Sequence, residues 1–401
     1  MSIRWTAGLV AVLIGVAACG DGTSSSSSST SGSPSSPSST IAATSTTSAV
    51  PASAAPGPVL PDQAVLPVML FVNGIVYDLA EVPAPEIIDI GQSSLPYAGP
   101  PVFTEEGLLV ATGESYDATV TLFPADGGDP VELARGVGSF ALSPDGQRLA
   151  WAEPTPTEPG GETLLVEVAF PSGQVLYTTT FSGFPFPDVD RPVGFADVVT
   201  YVGDNVLLMT GDGAVATAAV WTPATGRVTM ASGYGSGIAG NTGGSSVVLS
   251  QGDGLCGVIA SIGDDGSVTP PDGGFVNDTL DCSASWAPTF SLDGAVIASA
   301  GTQGETGPPI LLLTSTEGSE LTRLPIKDVA GQYFQPHTIR WLDNETLLLL
   351  ASSFDSSRTE YWDEEWGIWR CHTQDSECDL AQAIAFSPTD FNQVALVDAA
   401  Q

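Results

Sequence analysis

The amino-acid sequence predicts an all-β protein: a β-propeller of seven four-stranded blades, closed by a blade that draws on both ends of the chain. One observation is a figure at Phe140–Ala152, F-A-L-S-P-D-G-Q-R-L-A-W-A, in which two apolar runs flank Ser143-Pro144-Asp145-Gly146. Pro pre-sets φ for the first turn position, and Asp and Gly suit the positions that follow, so the stretch reads strand, tight reversal, strand. A second observation is the return of that figure at Thr289–Ala300 and, in weaker form, at Ile384–Val397 around Ser387-Pro388-Thr389-Asp390. Ser143 and Ser291 stand 148 positions apart, about three steps of 49, and Ser387 lies a further 96 on, two of 48. A fixed period of ~40–50 residues carried by strand pairs is the signature of a propeller. The third observation is length: Leu66–Gln401 is 336 residues, seven steps of 48.

Taken in order, residues 1–18 read as an export signal. Arg4 supplies a minimal positive start, and Leu9–Val16 is an apolar run too short to span a bilayer permanently. The run ends Val16-Ala17-Ala18-Cys19, which resembles the lipobox of bacterial lipoproteins. That resemblance implies an acylated Cys19 as the new N-terminus, a chain held at the outer face of the bacterial cell membrane, and lipid as the membrane contact. The bland reading is an ordinary signal peptide with an incidental Cys. Residues 19–65 form a tether: Thr23–Pro58 is Ser, Thr, Pro, Ala and Gly, with almost nothing to bury against its ordering entropy. Such a tether is a spacer, and its Ser and Thr are also acceptors for O-linked sugars.

From residue 66 to 401 the composition is globular. The S-P-D-G turn between two strands is similar to the turn between the inner strands of TolB-type, WD40-like blades. The likeness is closest at Ser143–Gly146, looser at Ser291–Gly294 and partial at Ser387–Asp390. It implies a fold and nothing more, because the helical partner-binding domain of TolB has no counterpart in this chain. Blade one falls at Pro101–Thr112 and Thr119–Leu133, blade two at Val137–Thr180, and blade three at Val193–Met230. Blade four is the Gly-rich Gly237–Thr269, blade five Ser283–Leu324, and blade six His337–Leu380. Two pieces remain. Ala383–Val397 is expected to give an inner pair of strands. Val68–Val72 and Ile75–Leu79, about the hairpin signal Asn73-Gly74, are expected to give an outer pair. Together they make the closing blade. Six and eight blades are the neighbouring counts, since blade four sets its register least firmly.

Connections alternate in length. Ser143–Gly146, Pro171–Gly173, Gly263–Gly266 and Thr316–Ser319 are short, whereas Glu153–Glu162, Phe181–Arg191, Pro270–Asp281, Gly301–Pro309 and Ser352–Glu365 are long. In a propeller the two kinds emerge on opposite faces, and long loops on a rigid scaffold are where binding residues concentrate. A protein, peptide or glycan partner is therefore expected on the long-connection face. Tyr361, Trp362, Asp363, Glu364 and Glu365, followed by Trp366, stand out there. Aromatics interleaved with carboxylates suit sugar stacking, or a cationic peptide held by cation–π and ionic contacts. The competing reading has Trp366 and Ile368 already in the next strand, packed between blades, with solvated acids beside them.

With Cys19 assigned to lipid, Cys256, Cys282, Cys371 and Cys378 remain, an even number in an exported domain. Cys371 and Cys378 flank a hairpin turn and can pair across it, which leaves Cys256 with Cys282. Neither pair has metal-ligand spacing, and only His337 and His372 stand by to assist, so neither a metal nor another cofactor is expected. The formal net charge of −36, from 46 acidic and ten basic residues, argues against nucleic acid and anionic headgroups. Catalytic signatures are scarce. G-x-S-x-G does not occur, no phosphate loop or dinucleotide fingerprint is present, and His337 opens an inner strand where structure is its commoner use. Paired carboxylates of the glycosidase kind cannot be singled out among 46 acids. The leading expectation is a lipid-anchored binding or scaffolding module, the alternative a carbohydrate-acting propeller enzyme, and the third a purely structural or sensor-accessory lipoprotein.

Overall fold

Strands joined by tight turns pair antiparallel, and in the computed structural model such pairing builds seven blades of four strands each, two of them joined edge to edge in one eight-stranded sheet. The structure describes residues 68–80, 86–91, 101–114, 117–154, 161–184, 195–211, 216–231, 237–240, 244–250, 257–269, 286–302, 308–317, 319–327, 331–353, 365–375, 377–384 and 394–399. All of them lie in one unit, Pro56–Gln401. The chain opens with β1 (Met69–Val72), β2 (Ile75–Asp78) and β3 (Glu86–Asp89). Blade one is β4 (Val102–Thr104), β5 (Gly107–Glu114), β6 (Asp117–Pro124) and β7 (Val131–Val137). Blade two is β8 (Ser139–Leu142), β9 (Arg148–Pro154), β10 (Thr163–Ala169) and β11 (Gln174–Phe181). Blade three is β12 (Ala196–Val202), β13 (Asn205–Gly211), β14 (Ala216–Thr222) and β15 (Arg227–Met230). Blade four is β16 (Gly237–Gly240), β17 (Ser246–Ser250), β18 (Gly257–Ile262) and β19 (Val268–Thr269). Blade five is β20 (Trp286–Phe290), β21 (Val296–Thr302), β22 (Pro309–Ser315) and β23 (Glu320–Pro325). Blade six is β24 (Phe334–Trp341), β25 (Thr346–Ser353), β26 (Trp366–His372) and β27 (Asp379–Ile384), and the last strand is β28 (Val394–Ala399).

Closure mixes the two ends of the chain, though not two strands with two. The closing sheet runs β3-β2-β1-β28, three N-terminal strands and one C-terminal strand. Ala383 and Ile384, expected in an inner pair, end β27 of blade six instead, and the Ser387–Asp390 turn lies outside the described residues. β3, E-I-I-D, was not expected as a strand; its residues are mostly exposed, so no apolar alternation announces it. β28 pairs antiparallel with β1 and, over two residues, parallel with β4 of blade one.

The core explains why strands such as β25, T-L-L-L-L-A-S-S, are apolar without alternation. A sheet covered on both faces buries every side chain. Leu347, Leu349 and Ala351 pack with blade five, and Leu348 and Leu350 with the closing blade. The same division repeats around the ring. Among the described residues the buried apolar side chains fall into seven clusters, one for each seam between neighbouring blades. The first strands of successive blades approach one another, so they line the inside of the ring.

The Cys371–Cys378 disulfide is formed, with Cα atoms 4.4 Å apart, and both sulfurs sit in the seam of blades five and six. Cys256 and Cys282 lie outside the described residues.

Candidate functional site

The two faces of the ring use their polar groups differently. On the short-turn face carboxylates bind backbone. Ser143 N–H donates to Arg148 O at 2.8 Å and Gly146 N–H to Ser143 O at 2.9 Å, while the Ser143 hydroxyl donates to Asp145 and accepts from Arg148 N–H. Ser291, Asp293 and Val296 repeat the arrangement bond for bond. Gly146 and Gly294 close these turns at φ 66° and 69°, where a side chain is strained. Asp343 accepts from Glu345 and Thr346 N–H, and Asp265 from Ser267 N–H. Hydrogen bonds to these charged carboxyls hold them below the usual aspartate range: from Ser143 to Asp145, from Ser267 to Asp265, and from the backbone of Ala295 and Glu345 to Asp293 and Asp343. These acids fold the turns.

The same face is tied across its seams. Arg148 bonds Asp204 at 2.9 Å and lies 5.5 Å above the Tyr201 ring, with the fully buried Glu167 3.8 Å away. Tyr201 donates its hydroxyl to Glu167 at 2.8 Å. Burial lifts the Glu167 carboxyl above the usual glutamate range, against the opposing pull of Tyr201 and Arg148. Asp293 N–H donates to Asn344 of the next blade at 2.9 Å. These ties hold neighbouring blades together across the seams.

At the opposite ends of the strands, from which the long connections spring, two inner-strand groups are perturbed. Asp197 begins β12. Burial pushes its carboxyl up to about 6, against the lowering effect of a hydrogen bond from Ser139, the first residue of β8. The Ser139 oxygen in turn accepts from Val198 N–H. In blade six the His337 ring stacks on Trp366, centroids 4.7 Å apart and 25° from parallel, and Nε2 lies 2.7 Å from the Ser352 hydroxyl. Burial pulls the His337 imidazole down to about 4. Directly above, Ser353 N–H donates to Glu365 O at 2.8 Å and Glu365 N–H to the Ser353 hydroxyl at 3.1 Å, pinning both ends of the connection 354–364.

Of the predicted cluster, Glu365 is exposed at that root, whereas Tyr361, Trp362, Asp363 and Glu364 lie outside the described residues. Trp366 is 4% exposed and packs with Leu350 and Ile368 against the closing blade, as the competing reading has it. His372 is exposed on the other face, with Nδ1 3.1 Å from the Thr346 hydroxyl. Asp197 carried no signal in the sequence, since nothing local distinguishes it from the other acids. Among the described residues no three of His, Cys, Asp and Glu gather as a metal set.

These features define a seven-bladed β-propeller with one tied face and one face of long connections. The solved structures it is similar to include a periplasmic gluconolactonase of Pseudomonas aeruginosa (TM-score 0.51, 12% identity, 82% of this chain and 99% of that one). A putative 6-phosphogluconolactonase from Bacteroides uniformis matches at TM-score 0.50 and 13% identity, again over 82% and 99%. A prolyl endopeptidase matches at TM-score 0.53 and 11% identity, over 80% of this chain and 47% of that one. A putative TolB from Agrobacterium tumefaciens also matches, at TM-score 0.36 and 14% identity, over 67% of this chain and 92% of that one. No family model matches the chain, and no curated protein matches it in sequence.

Proposed function

We propose that this chain is a lipid-anchored, extracytoplasmic β-propeller that binds a protein, peptide or glycan partner on its long-connection face. The contrast between the faces carries the reading. Asp145, Asp265, Asp293 and Asp343 of the short turns are engaged by backbone N–H groups, whereas blade six pins the root of a long connection beside a half-buried His337 stacked on the buried Trp366 and leaves Glu365 exposed. By continuity with Glu365, Tyr361–Glu364 supply the aromatic and acidic contacts. A fixed root lowers the entropy lost when such a connection engages a ligand.

The test is an array of neutral glycans and cationic peptides probed with the full chain and with Trp362→Ala and Trp366→Ala. Trp362→Ala is expected to weaken binding by about 2 kcal/mol or more, the hot-spot scale, without moving the melting curve. Trp366→Ala is expected to cost roughly 3–5 kcal/mol of stability. Unchanged binding in Trp362→Ala would remove the cluster from the reading. For the anchor, intact mass from native membranes should show acyl chains on Cys19, and Cys19→Ala should release the protein. A mature terminus beyond Cys19 without lipid contradicts it.

Asp197 favours a second reading, action on a carbohydrate or sugar lactone, because a carboxyl that burial lifts to about 6, on an inner strand of the ring and hydrogen-bonded by Ser139, suits acid–base work. Turnover of sugar lactones or glycans that disappears in Asp197→Asn, with folding intact, would select it.

A further inference from the structure

Among the described residues each blade ends in an outer strand with no strand paired on its far side, and natural sheets blunt such edges with charge or brevity. Six of the seven outer strands comply. β3 carries Glu86 and Asp89, β7 the Glu132–Arg135 pair, β15 Arg227, β23 the Glu320–Arg323 pair and β27 Asp379, while β19 is two residues long. β11, Q-V-L-Y-T-T-T-F, carries no charge in a chain of net −36. It is also the most exposed apolar stretch among the described residues, with Val175 at 58%, Leu176 at 38% and Tyr177 at 41%. A slip in its pairing with β10 falls at Leu176; beyond it Tyr177–Phe181 pair regularly with Glu167–Thr163. The strand is anchored at Thr179, which accepts a hydrogen bond from Trp221 of blade three at 3.0 Å.

We propose that β11 is a dimerisation edge, pairing antiparallel with β11 of a second copy so that two blades join in one sheet. Charge selects this occupant. A cationic strand would find no carboxylate on β11, so the edge suits a neutral strand, and the neutral edge on view is β11 itself. In a two-fold antiparallel pair a strand meets its own sequence. Thr178, Thr179 and Thr180 then face threonines, a favourable cross-strand pairing, whereas the acidic outer strands would bring carboxylates close to their own copies.

Sedimentation of the full chain over a concentration series tests this, in detergent where acyl chains are present. The expected result is a monomer–dimer equilibrium that weakens at least roughly tenfold in Thr178→Lys/Thr180→Lys, where four like charges converge. The melting curve should not move, because both side chains are exposed. Mild oxidation should cross-link Thr178→Cys/Thr180→Cys into a covalent dimer and leave Leu321→Cys, on exposed β23, monomeric. A chain that stays monomeric to its solubility limit, a dimer indifferent to the lysines, or cross-linking equal at Leu321 would each overturn the proposal.

Discussion

Asp197 and His337 are inner-strand groups moved by one cause, burial, in opposite senses: the acid up to about 6, the base down to about 4. An unfolded aspartate titrates near ~3.9 and an unfolded histidine near ~6.5. Asp197 therefore contributes stability that is complete below about 4 and lost as pH rises through 6, because the folded chain keeps a proton that the unfolded chain has released. His337 contributes stability that is complete above about 6.5 and lost as pH falls toward 4, because only the unfolded chain takes up the proton. Each is worth on the order of 2 kcal/mol once residual solvent screening is allowed for. In the wild type they largely cancel between pH 4 and 6. Asp197→Asn should steepen the fall of melting temperature on acidification from pH 6.5 to 4, and His337→Gln should flatten it. Parallel profiles for the two variants would refute both assignments. Neither group was legible in the sequence as perturbed, since His337 was expected only to open a strand, whereas it is the fourth residue of β24, and Asp197 offered not even that. The S-P-D-G turn was read from its Pro, Asp and Gly. Yet Ser143, 3% exposed, is the hub that takes Arg148 N–H and feeds Asp145, and Ser291 does the same where Leu292 stands in place of proline.

At the scale of elements, hairpins were the legible unit, because turn chemistry and apolar runs sit side by side in sequence. The β26–β27 hairpin shows what such reading misses. Cys371 and Cys378 were recognisable as a pair across a turn, but their burial among Leu347, Leu349 and Trp369 depends on blade five, far away in sequence. Closing a loop of sequence separation 7 contributes about 2 kcal/mol through chain entropy. Exchanging both for serine adds the cost of placing hydroxyls in an apolar seam. The double Cys→Ser variant should therefore lose clearly more than about 2 kcal/mol in denaturant melts, and Cys→Ala closer to that figure. In the native protein, reduction should be slow without denaturant, since both sulfurs are buried. Equal losses in the two variants would mean that the seam tolerates polar groups, contrary to the packing.

The ring as a whole depends on its shortest-range guess being completed by long-range pairing. Period and length indicated seven blades, and the connection lengths separated two faces. The division of the closing blade was not legible, because β3 is exposed and β28 has its partner at the opposite end of the chain. β28 serves two seams at once: Val394 and Leu396 pack with blade six, and Val397 with blade one. It also supplies the ladder to β1, Met69↔Val397 through Val72↔Val394. Removing residues 394–401 takes away three buried aliphatic side chains at roughly 1.5–3 kcal/mol each. The loss of about 5–9 kcal/mol rivals the whole stability of an ordinary domain, ~5–15 kcal/mol. The truncated chain should therefore lack a cooperative melt, while Leu396→Ala alone should cost about 2–5 kcal/mol and leave the transition sharp. A peptide of residues 394–401 added in excess should restore part of the transition, because the site for it is formed by β1 and the two seams. A truncated chain that melts cooperatively within a few degrees of the intact protein would show that the ring closes without β28.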